Sequence, residues 1–137
     1  MGTAASTQRQ SPTRILIVDD SRTVRHSLRV ILEQHDEWKV CEEATNGREA
    51  VQKAELIHPD VIVLDLQMPE MNGLEAAKEI RKHSPEIPIL MFTIHMSSQL
   101  KDEARKVGIR GTCAKTDVGC IVKAVETLLS RGTFYKT

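Results

Sequence analysis

The sequence predicts an α/β fold in which a parallel sheet of five strands carries helices on both of its faces. Short apolar runs bounded by turn-forming residues recur along the chain, and such runs are typical of strands buried on both faces. Segments with helical spacing of apolar residues lie between them. This alternation indicates βαβ units with right-handed crossovers, which build a doubly wound sheet. A chain of 137 residues is long enough for one such domain.

Each predicted element follows from its own pattern. The predicted strands are residues 15–18, 38–41, 61–64, 87–92 and 111–114, of which 38–41 is mixed in polarity and is therefore predicted at an edge of the sheet. Five apolar faces predict the helices: Val24, Leu28, Ile31 and Leu32; Ala50, Val51 and Ala54; Leu74, Ala77 and Ile80; Leu100, Ala104 and Val107; and Ile121, Val122, Val125, Leu128 and Leu129. Gly108 and Gly132 are predicted to end the last two helices.

Asp65 is the first residue after the apolar run 61–64, and this position makes it the strongest functional candidate. In open α/β sheets, ligands bind in the crevice outside the carboxyl ends of the strands. The turn-rich segment 68–73 that follows can hold the acid at the surface. The alternative is an acidic residue that only begins a turn.

Three other predicted strands also run into polar residues. Asp19 and Asp20 follow the first strand, Thr93 follows the fourth, and Lys115 follows the fifth. Because Ser21 is a natural N-cap and an acid near a helix N-terminus is favoured by the helix dipole, the acidic pair also fits helix capping. If the strands are parallel neighbours, one crevice receives three carboxylates, one hydroxyl and one ammonium.

That combination of groups suits phosphoryl chemistry at a divalent cation. Three carboxylates and one lysine leave a charge of about −2, and oxygen ligands with water are what Mg²⁺ accepts. With the cation bound, one carboxylate can attack phosphorus and form an aspartyl phosphate. Lys115 and Thr93 suit the remaining tasks, which are neutralising and positioning the phosphoryl oxygens.

Over about residues 13–131 the sequence resembles the receiver domain of two-component response regulators. The resemblance rests on the acidic pair in 17–21, the segments 44–50 and 60–73, and Thr93 and Lys115 at the family's usual separation. It implies a flavodoxin-like receiver fold, with a five-stranded sheet in the order 2-1-3-4-5 and five helices. Residues 132–135 are similar to the segment that links many receivers to a helix-turn-helix output domain, so the resemblance is closest to those receivers.

The resemblance also implies a Mg²⁺ site and a set of ligands. Asp20 and Asp65 would ligate the ion through their side chains and Gln67 through its backbone carbonyl. Asp19 would act through water or hydrogen bonds.

By the same resemblance, Asp65 is the phosphoacceptor, Lys115 pairs with the phosphoryl group, and Thr93 moves toward it after modification. A sensor histidine kinase or a phosphotransfer protein would supply the phosphoryl group. The chain would be a signalling domain and not an enzyme, although it promotes its own phosphotransfer and dephosphorylation. It would signal through an altered protein-binding face to an output domain or a downstream protein, and a phosphorylation-dependent dimer is compatible with this.

Several positions depart from the family pattern or bear on other functions. Thr112 stands where receivers often have Tyr or Phe, Ile94 where they have a small residue, and Thr116 where proline with a cis peptide bond is common. These departures keep open a receiver-like interaction module that works without phosphorylation. A hydrolase with an aspartyl-phosphate intermediate, of the haloacid-dehalogenase type, needs a second acid where this chain has Gln67.

Composition narrows the remaining classes. Nineteen basic and nineteen acidic residues give no net charge, which argues against direct nucleic-acid binding. The chain has an odd number of cysteines, Cys41, Cys113 and Cys120, which favours a reducing cytoplasm over a disulfide framework. Cys113 and Cys120 are predicted to be small buried residues. No apolar stretch approaches the roughly 20 residues of a membrane span. Residues 1–12 are predicted as a disordered leader, 13–132 as the receiver domain and 133–137 as a C-terminal tail.

Overall fold

A parallel sheet covered by helices on both faces is the architecture of this protein, for which a computed structural model describes residues 11–135. The strands are β1 (Thr13–Val18), β2 (Trp38–Ala44), β3 (Val61–Leu64), β4 (Ile89–Thr93), β5 (Gly111–Ala114) and β6 (Phe134–Tyr135). The helices are α1 (Arg22–Leu32), α2 (Gly47–Ile57), α3 (Gly73–His83), α4 (Ser98–Lys106) and α5 (Cys120–Leu129). The strand order β2-β1-β3-β4-β5-β6 confirms the predicted order 2-1-3-4-5 and adds a sixth strand.

The sheet divides the core into two apolar layers. Ile15 and Ile17 of β1 face the layer covered by α1 and α5, whereas Leu16 and Val18 face the layer covered by α2, α3 and α4. All four side chains are buried. This is the arrangement expected of a strand that is apolar at every position, because successive side chains point to opposite faces.

Four of the five helices begin with a side chain that accepts a backbone hydrogen bond. The capping residues are Ser21, Asn46, Asn72 and Ser97, and Ser21 Oγ accepts from Val24 N at 3.2 Å. The predicted cap at Ser21 is therefore confirmed. These caps fix where each helix begins, and they also fix the short loops between the strand ends and the helices.

Three strands differ in extent from those predicted: β1 begins at Thr13 instead of residue 15, β2 ends at Ala44 instead of residue 41, and β4 covers Ile89–Thr93 instead of residues 87–92. β2 continues to Ala44, because its last three residues pair with β1 again after a register shift between Ile15 and Leu16, and it lies at the sheet edge as predicted. β4 begins at Ile89 instead of residue 87, since Pro88 has no backbone N–H to donate to a neighbouring strand.

β6 lies within residues 133–137, the segment predicted as a tail. It pairs in parallel with β5, and Phe134 packs against the apolar core. Residues 1–10 of the predicted leader and residues 136–137 lie outside the described part of the chain.

Three further observations bear on the sequence predictions. Cys113 and Cys120 are buried as predicted, but a disulfide joins them, which the prediction of reduced cysteines did not anticipate. No cis peptide bond occurs within residues 11–135, so the bond between Lys115 and Thr116 is trans. Over the same residues, every helix is too short or too polar to cross a membrane.

Candidate functional site

The polar residues predicted to meet at the carboxyl ends of the strands do so. Asp65 directly follows β3, and its backbone N–H donates to Val18 O at 2.9 Å. Lys115 directly follows β5, and its backbone N–H donates to Thr93 O at 2.7 Å. These two bonds extend the sheet's pairing by one residue beyond the strand ends and hold both side chains at the same edge of the sheet.

Asp19, Asp20 and Asp65 form a compact acidic cluster at this edge. One carboxylate oxygen from each residue lies within 4.8 Å of the others. Asp19 and Asp65 are buried, whereas Asp20 is exposed. Three converging carboxylates, one of them open to solvent, match the oxygen ligands that hard divalent cations such as Mg²⁺ require. Gln67 is also exposed, and its backbone carbonyl stays a predicted ligand.

Lys115 bridges two members of the cluster. Its Nζ donates to Asp19 Oδ2 at 2.6 Å and lies 3.3 Å from Asp65 Oδ1. Burial by itself lowers the pKa of Lys115, but the hydrogen bond to Asp19 and the charges of both carboxylates outweigh it, so that the pKa is raised. The ammonium is therefore charged at neutral pH and offsets part of the negative charge of the cluster.

The ionised form of Asp65 remains electrostatically unfavourable in spite of this lysine. Burial and the nearby charge of Asp19 raise the pKa of Asp65, and Lys115 opposes that rise only in part. The environment thus disfavours the second negative charge that the cluster places beside Asp19. A cation bound at the three carboxylates would relieve this repulsion, which is a further reason why the donor set fits one.

The start of α1 holds Asp19 in place. One carboxylate oxygen, Asp19 Oδ1, accepts from Ser21 N at 2.9 Å, and Arg25 Nη1 donates to the backbone oxygen of Asp19 at 2.8 Å. Arg25 is fixed in turn by Glu43 Oε1, 2.8 Å from its Nε. Arg25 was not among the predicted site residues. Its place in the first turn of the helix that follows the acidic pair is the signal that could have found it.

Gly73 supports the loop after Asp65 by allowing a close approach. Its backbone N–H donates to Leu66 O at 2.8 Å. A Cβ added at Gly73 would overlap the carbonyl oxygen of Asp65 and would lie 2.9 Å from Cα of Leu66. The first residue of α3 therefore packs against the backbone that carries the central carboxylate, and only glycine leaves room for this.

The positions that depart from the family pattern have distinct environments. Thr93 is buried, and Ile94 directly after it is 54% exposed. Thr112 is buried in β5, and its hydroxyl has no hydrogen-bond partner. Ile94 thus presents an apolar side chain beside the site. At position 112, where receivers often have the ring of Tyr or Phe, this chain has a threonine hydroxyl without a hydrogen-bond partner.

Comparisons with known proteins agree on one family. Residues 15–126 match the family model of the response regulator receiver domain. The chain is 40% identical over 102 residues to the transcriptional regulatory protein YdfI of Bacillus subtilis, a match that covers 74% of this chain and 47% of YdfI. It is also 40% identical over 102 residues to the chemotaxis protein CheY of Thermotoga maritima, covering 74% of this chain and 84% of CheY.

A solved structure gives the same result. The crystal structure of a LuxR-family two-component response regulator from Aurantimonas sp. SI85-9A1 superposes with a TM-score of 0.87 at 33% identity, covering 90% of this chain and 89% of that one. Some relatives are much longer than the matched region. The chain spans 47% of YdfI and 33% of a protein-glutamate methylesterase/protein-glutamine glutaminase of Carboxydothermus hydrogenoformans.

Proposed function

This chain belongs to the family of response regulator receiver domains of two-component systems, and we propose that it is a Mg²⁺-dependent phosphoacceptor whose Asp65 receives a phosphoryl group from a sensor histidine kinase or a phosphotransfer protein. The observation that carries this proposal is the acidic cluster of Asp19, Asp20 and Asp65 with Lys115 bridging two of its members. Receiver domains are signalling domains. The enzymatic activity named for some relatives is that of much longer proteins.

The proposed reaction is a displacement at phosphorus. An Asp65 carboxylate oxygen attacks the phosphorus atom of a phosphohistidine, the phosphorus–nitrogen bond breaks, and its electron pair returns to the imidazole, which takes up a proton from solvent. Asp20 and Asp65, the Gln67 carbonyl and, through water or hydrogen bonds, Asp19 would hold Mg²⁺, which would supply charge neutralisation for the phosphoryl oxygens. In this mechanism Asp65, whose negative charge is disfavoured by burial and by Asp19, becomes an acyl phosphate.

Lys115 and Thr93 position the product. Lys115 Nζ lies 3.3 Å from the Asp65 oxygen before reaction, so a small movement brings the ammonium to a phosphoryl oxygen. The Thr93 hydroxyl moves toward the same group. Because Thr93 ends β4 immediately before the loop that leads into α4, its displacement reaches the protein-binding face formed around α4 and β5.

We expect Asp65→Asn to abolish phosphorylation, because the amide lacks the nucleophilic oxygen. The full chain is incubated with acetyl phosphate and Mg²⁺, and intact-mass measurement counts the phosphoryl groups added. The wild type should gain one group, and EDTA should prevent this. Asp102→Asn, which changes an exposed acid on α4, is the matched control and should label like the wild type.

Unchanged labelling of the Asp65→Asn variant would overturn the site assignment. A wild-type chain that stays unlabelled with both acetyl phosphate and a cognate kinase would favour the alternative, a receiver-like interaction module that works without phosphorylation.

A second expected result concerns the lifetime of the phosphorylated state. Hydrolysis needs a water molecule in line with the bond between phosphorus and Asp65, and the half-exposed Ile94 places an apolar branched group beside that approach. Ile94→Ala should therefore lose phosphate roughly a few-fold faster. Gln67 could orient an attacking water and so acts in the opposite sense, but excluding the nucleophile limits the benefit of orienting it.

Dephosphorylation is followed by intact mass after removal of the donor. Leu56→Ala, at an exposed apolar position on α2, is the control and should leave the lifetime unchanged. Equal or slower phosphate loss in Ile94→Ala would show that this side chain does not gate the site.

The partners and setting of this function follow from the same proposal. The domain would act in the cytoplasm. An output domain or a separate downstream protein would read the altered face, and a phosphorylation-dependent dimer is one form that this output could take.

A further inference from the structure

The loop that carries Lys115 is tied at both ends by cysteines. Cys113 lies in β5 and Cys120 is the first residue of α5, and a disulfide joins them across loop 115–119. Their Cα atoms are 6.5 Å apart, within the range of about 4.4–6.8 Å that disulfides span. The backbone can therefore hold either two thiols or one disulfide at these positions without a large rearrangement.

We propose that Cys113 and Cys120 form a reversible dithiol–disulfide pair that a peroxide oxidises, and that the disulfide slows phosphorylation of Asp65 by restraining Lys115. The oxidation of the two thiols does not depend on the proposed function, whereas its effect on phosphorylation of Asp65 rests on that function.

The oxidation balances with hydrogen peroxide as the oxidant. The Cys120 thiolate attacks one oxygen of hydrogen peroxide and the oxygen–oxygen bond breaks. The departing hydroxide takes up the proton that the Cys120 thiol had released, so that a sulfenic acid and one water form. Cys113 then attacks the sulfenic sulfur, the sulfur–oxygen bond breaks and a second water leaves. The two sulfur atoms lose two electrons in total, and these reduce the peroxide to two water molecules.

Access for a peroxide and position in the fold favour oxidation of Cys113 and Cys120 over oxidation of Cys41. Both residues are buried, but a cavity of about 260 Å³ is lined by Cys113 and Cys120 together, and it is large enough for a small peroxide. Cys120 begins a helix, where the dipole favours a negative charge. Burial raises the pKa of the Cys41 thiol, which lies in the edge strand β2, so Cys41 is a poor nucleophile.

The loop between the cysteines transmits the oxidation state to the site. Lys115 Nζ donates to Asp19 at 2.6 Å, and it must move to pair with a phosphoryl group arriving on Asp65. The loop is short and already held inside by Asp117 N donating to Ala114 O at 2.9 Å. A covalent bond between its two ends removes much of the remaining freedom for that movement. Oxidised protein should therefore accept the phosphoryl group more slowly than reduced protein.

The test uses the full chain with Cys41→Ser, so that only the pair can react. Samples treated with hydrogen peroxide or with dithiothreitol are alkylated with N-ethylmaleimide, and intact mass counts the modified thiols. Reduced protein should take two alkyl groups and oxidised protein none, with a peptide map placing the bond between Cys113 and Cys120. Labelling by acetyl phosphate with Mg²⁺ is then timed for both states, and we expect it to be roughly three-fold slower or more in the oxidised state.

Cys120→Ser and Cys113→Ala, each in the Cys41→Ser background, are the matched variants. Peroxide should leave their labelling rates unchanged, and two different variants guard against one that fails to fold. Two alkylated thiols after peroxide treatment of the folded protein would overturn the redox pair. Equal labelling of the oxidised and reduced states would overturn its effect on Asp65. Absence of labelling in the reduced protein would instead count against the proposed function, and the alkylation result would still decide the pair.

Discussion

Replacement of Lys115 by methionine is expected to lower the free energy of unfolding by about 3–5 kcal/mol without divalent cations, the cost typical of breaking a buried ion pair. The Lys115 side chain is only 13% exposed and that of its partner Asp19 only 1%. Methionine keeps most of the side-chain volume but leaves the carboxylates of Asp19 and Asp65 without their nearest positive charge. Urea unfolding at neutral pH in EDTA measures this difference.

Two conditions should reduce the deficit of the Lys115→Met variant. Mg²⁺ should recover part of it, since a bound cation replaces the missing charge. Lower pH should do the same. The pKa of Asp65 is raised in the folded state above its ordinary value of 3.8, so the folded chain binds this proton more tightly than the unfolded chain does. Stability lost to the ionised carboxylate therefore returns as the pH falls through the raised pKa, and the variant, with no lysine to oppose the rise, should gain more.

Lys82→Met is the matched control for this experiment. Lys82 pairs with Glu79 at 3.2 Å, but its side chain is 62% exposed, and surface pairs of this kind contribute about 0–1 kcal/mol. A Lys115→Met deficit no larger than that of Lys82→Met would show that the lysine does not neutralise the cluster. A deficit that Mg²⁺ and pH leave unchanged would indicate lost packing instead of lost charge.

The position of this site could be predicted from sequence because it depends on local patterns and one topological rule. Each apolar run shows where a strand ends, and parallel strands bring those ends to the same edge of the sheet. Lys115 and Asp19 are 96 residues apart in the chain yet form a 2.6 Å hydrogen bond. Neither residue is informative alone. An acid that follows a strand can simply cap the next helix, and here the cap of that helix is Ser21, two residues after Asp19.

The features that the sequence did not predict depend on how the elements pack. β6 has only Phe134 and Tyr135, too few residues for any periodicity, and it exists because β5 offers an open edge. The contact of Arg25 with the Asp19 carbonyl depends on how α1 lies against the sheet. The pairing of Cys113 with Cys120 depends on the path of the loop between them. Spacing along the chain contains none of this information.

Gly73→Ala is expected to destabilise the fold by about 2 kcal/mol or more, although alanine is the better helix former. In a helix interior, alanine gains about 1 kcal/mol over glycine. Overpacking costs about 1–3 kcal/mol and occasionally more, and here the added Cβ meets backbone atoms of Asp65 and Leu66, which cannot rotate away as a side chain can. The steric cost should therefore exceed the gain. Urea unfolding of the full chain measures the balance.

The same substitution should also slow phosphorylation, which separates a local effect on the site from a general loss of stability. The added methyl group displaces the carbonyl of Asp65, and small errors in the position of a nucleophile reduce rates strongly, so labelling by acetyl phosphate should fall about ten-fold or more. Gly119→Ala is the matched control, because Gly119 has right-handed helical angles and its nearest contact for a Cβ is Asp117 Oδ1 at 3.8 Å. Normal stability and normal labelling in Gly73→Ala would show that the loop after Asp65 yields easily, and that the close contact with Gly73 does not position the carboxylate.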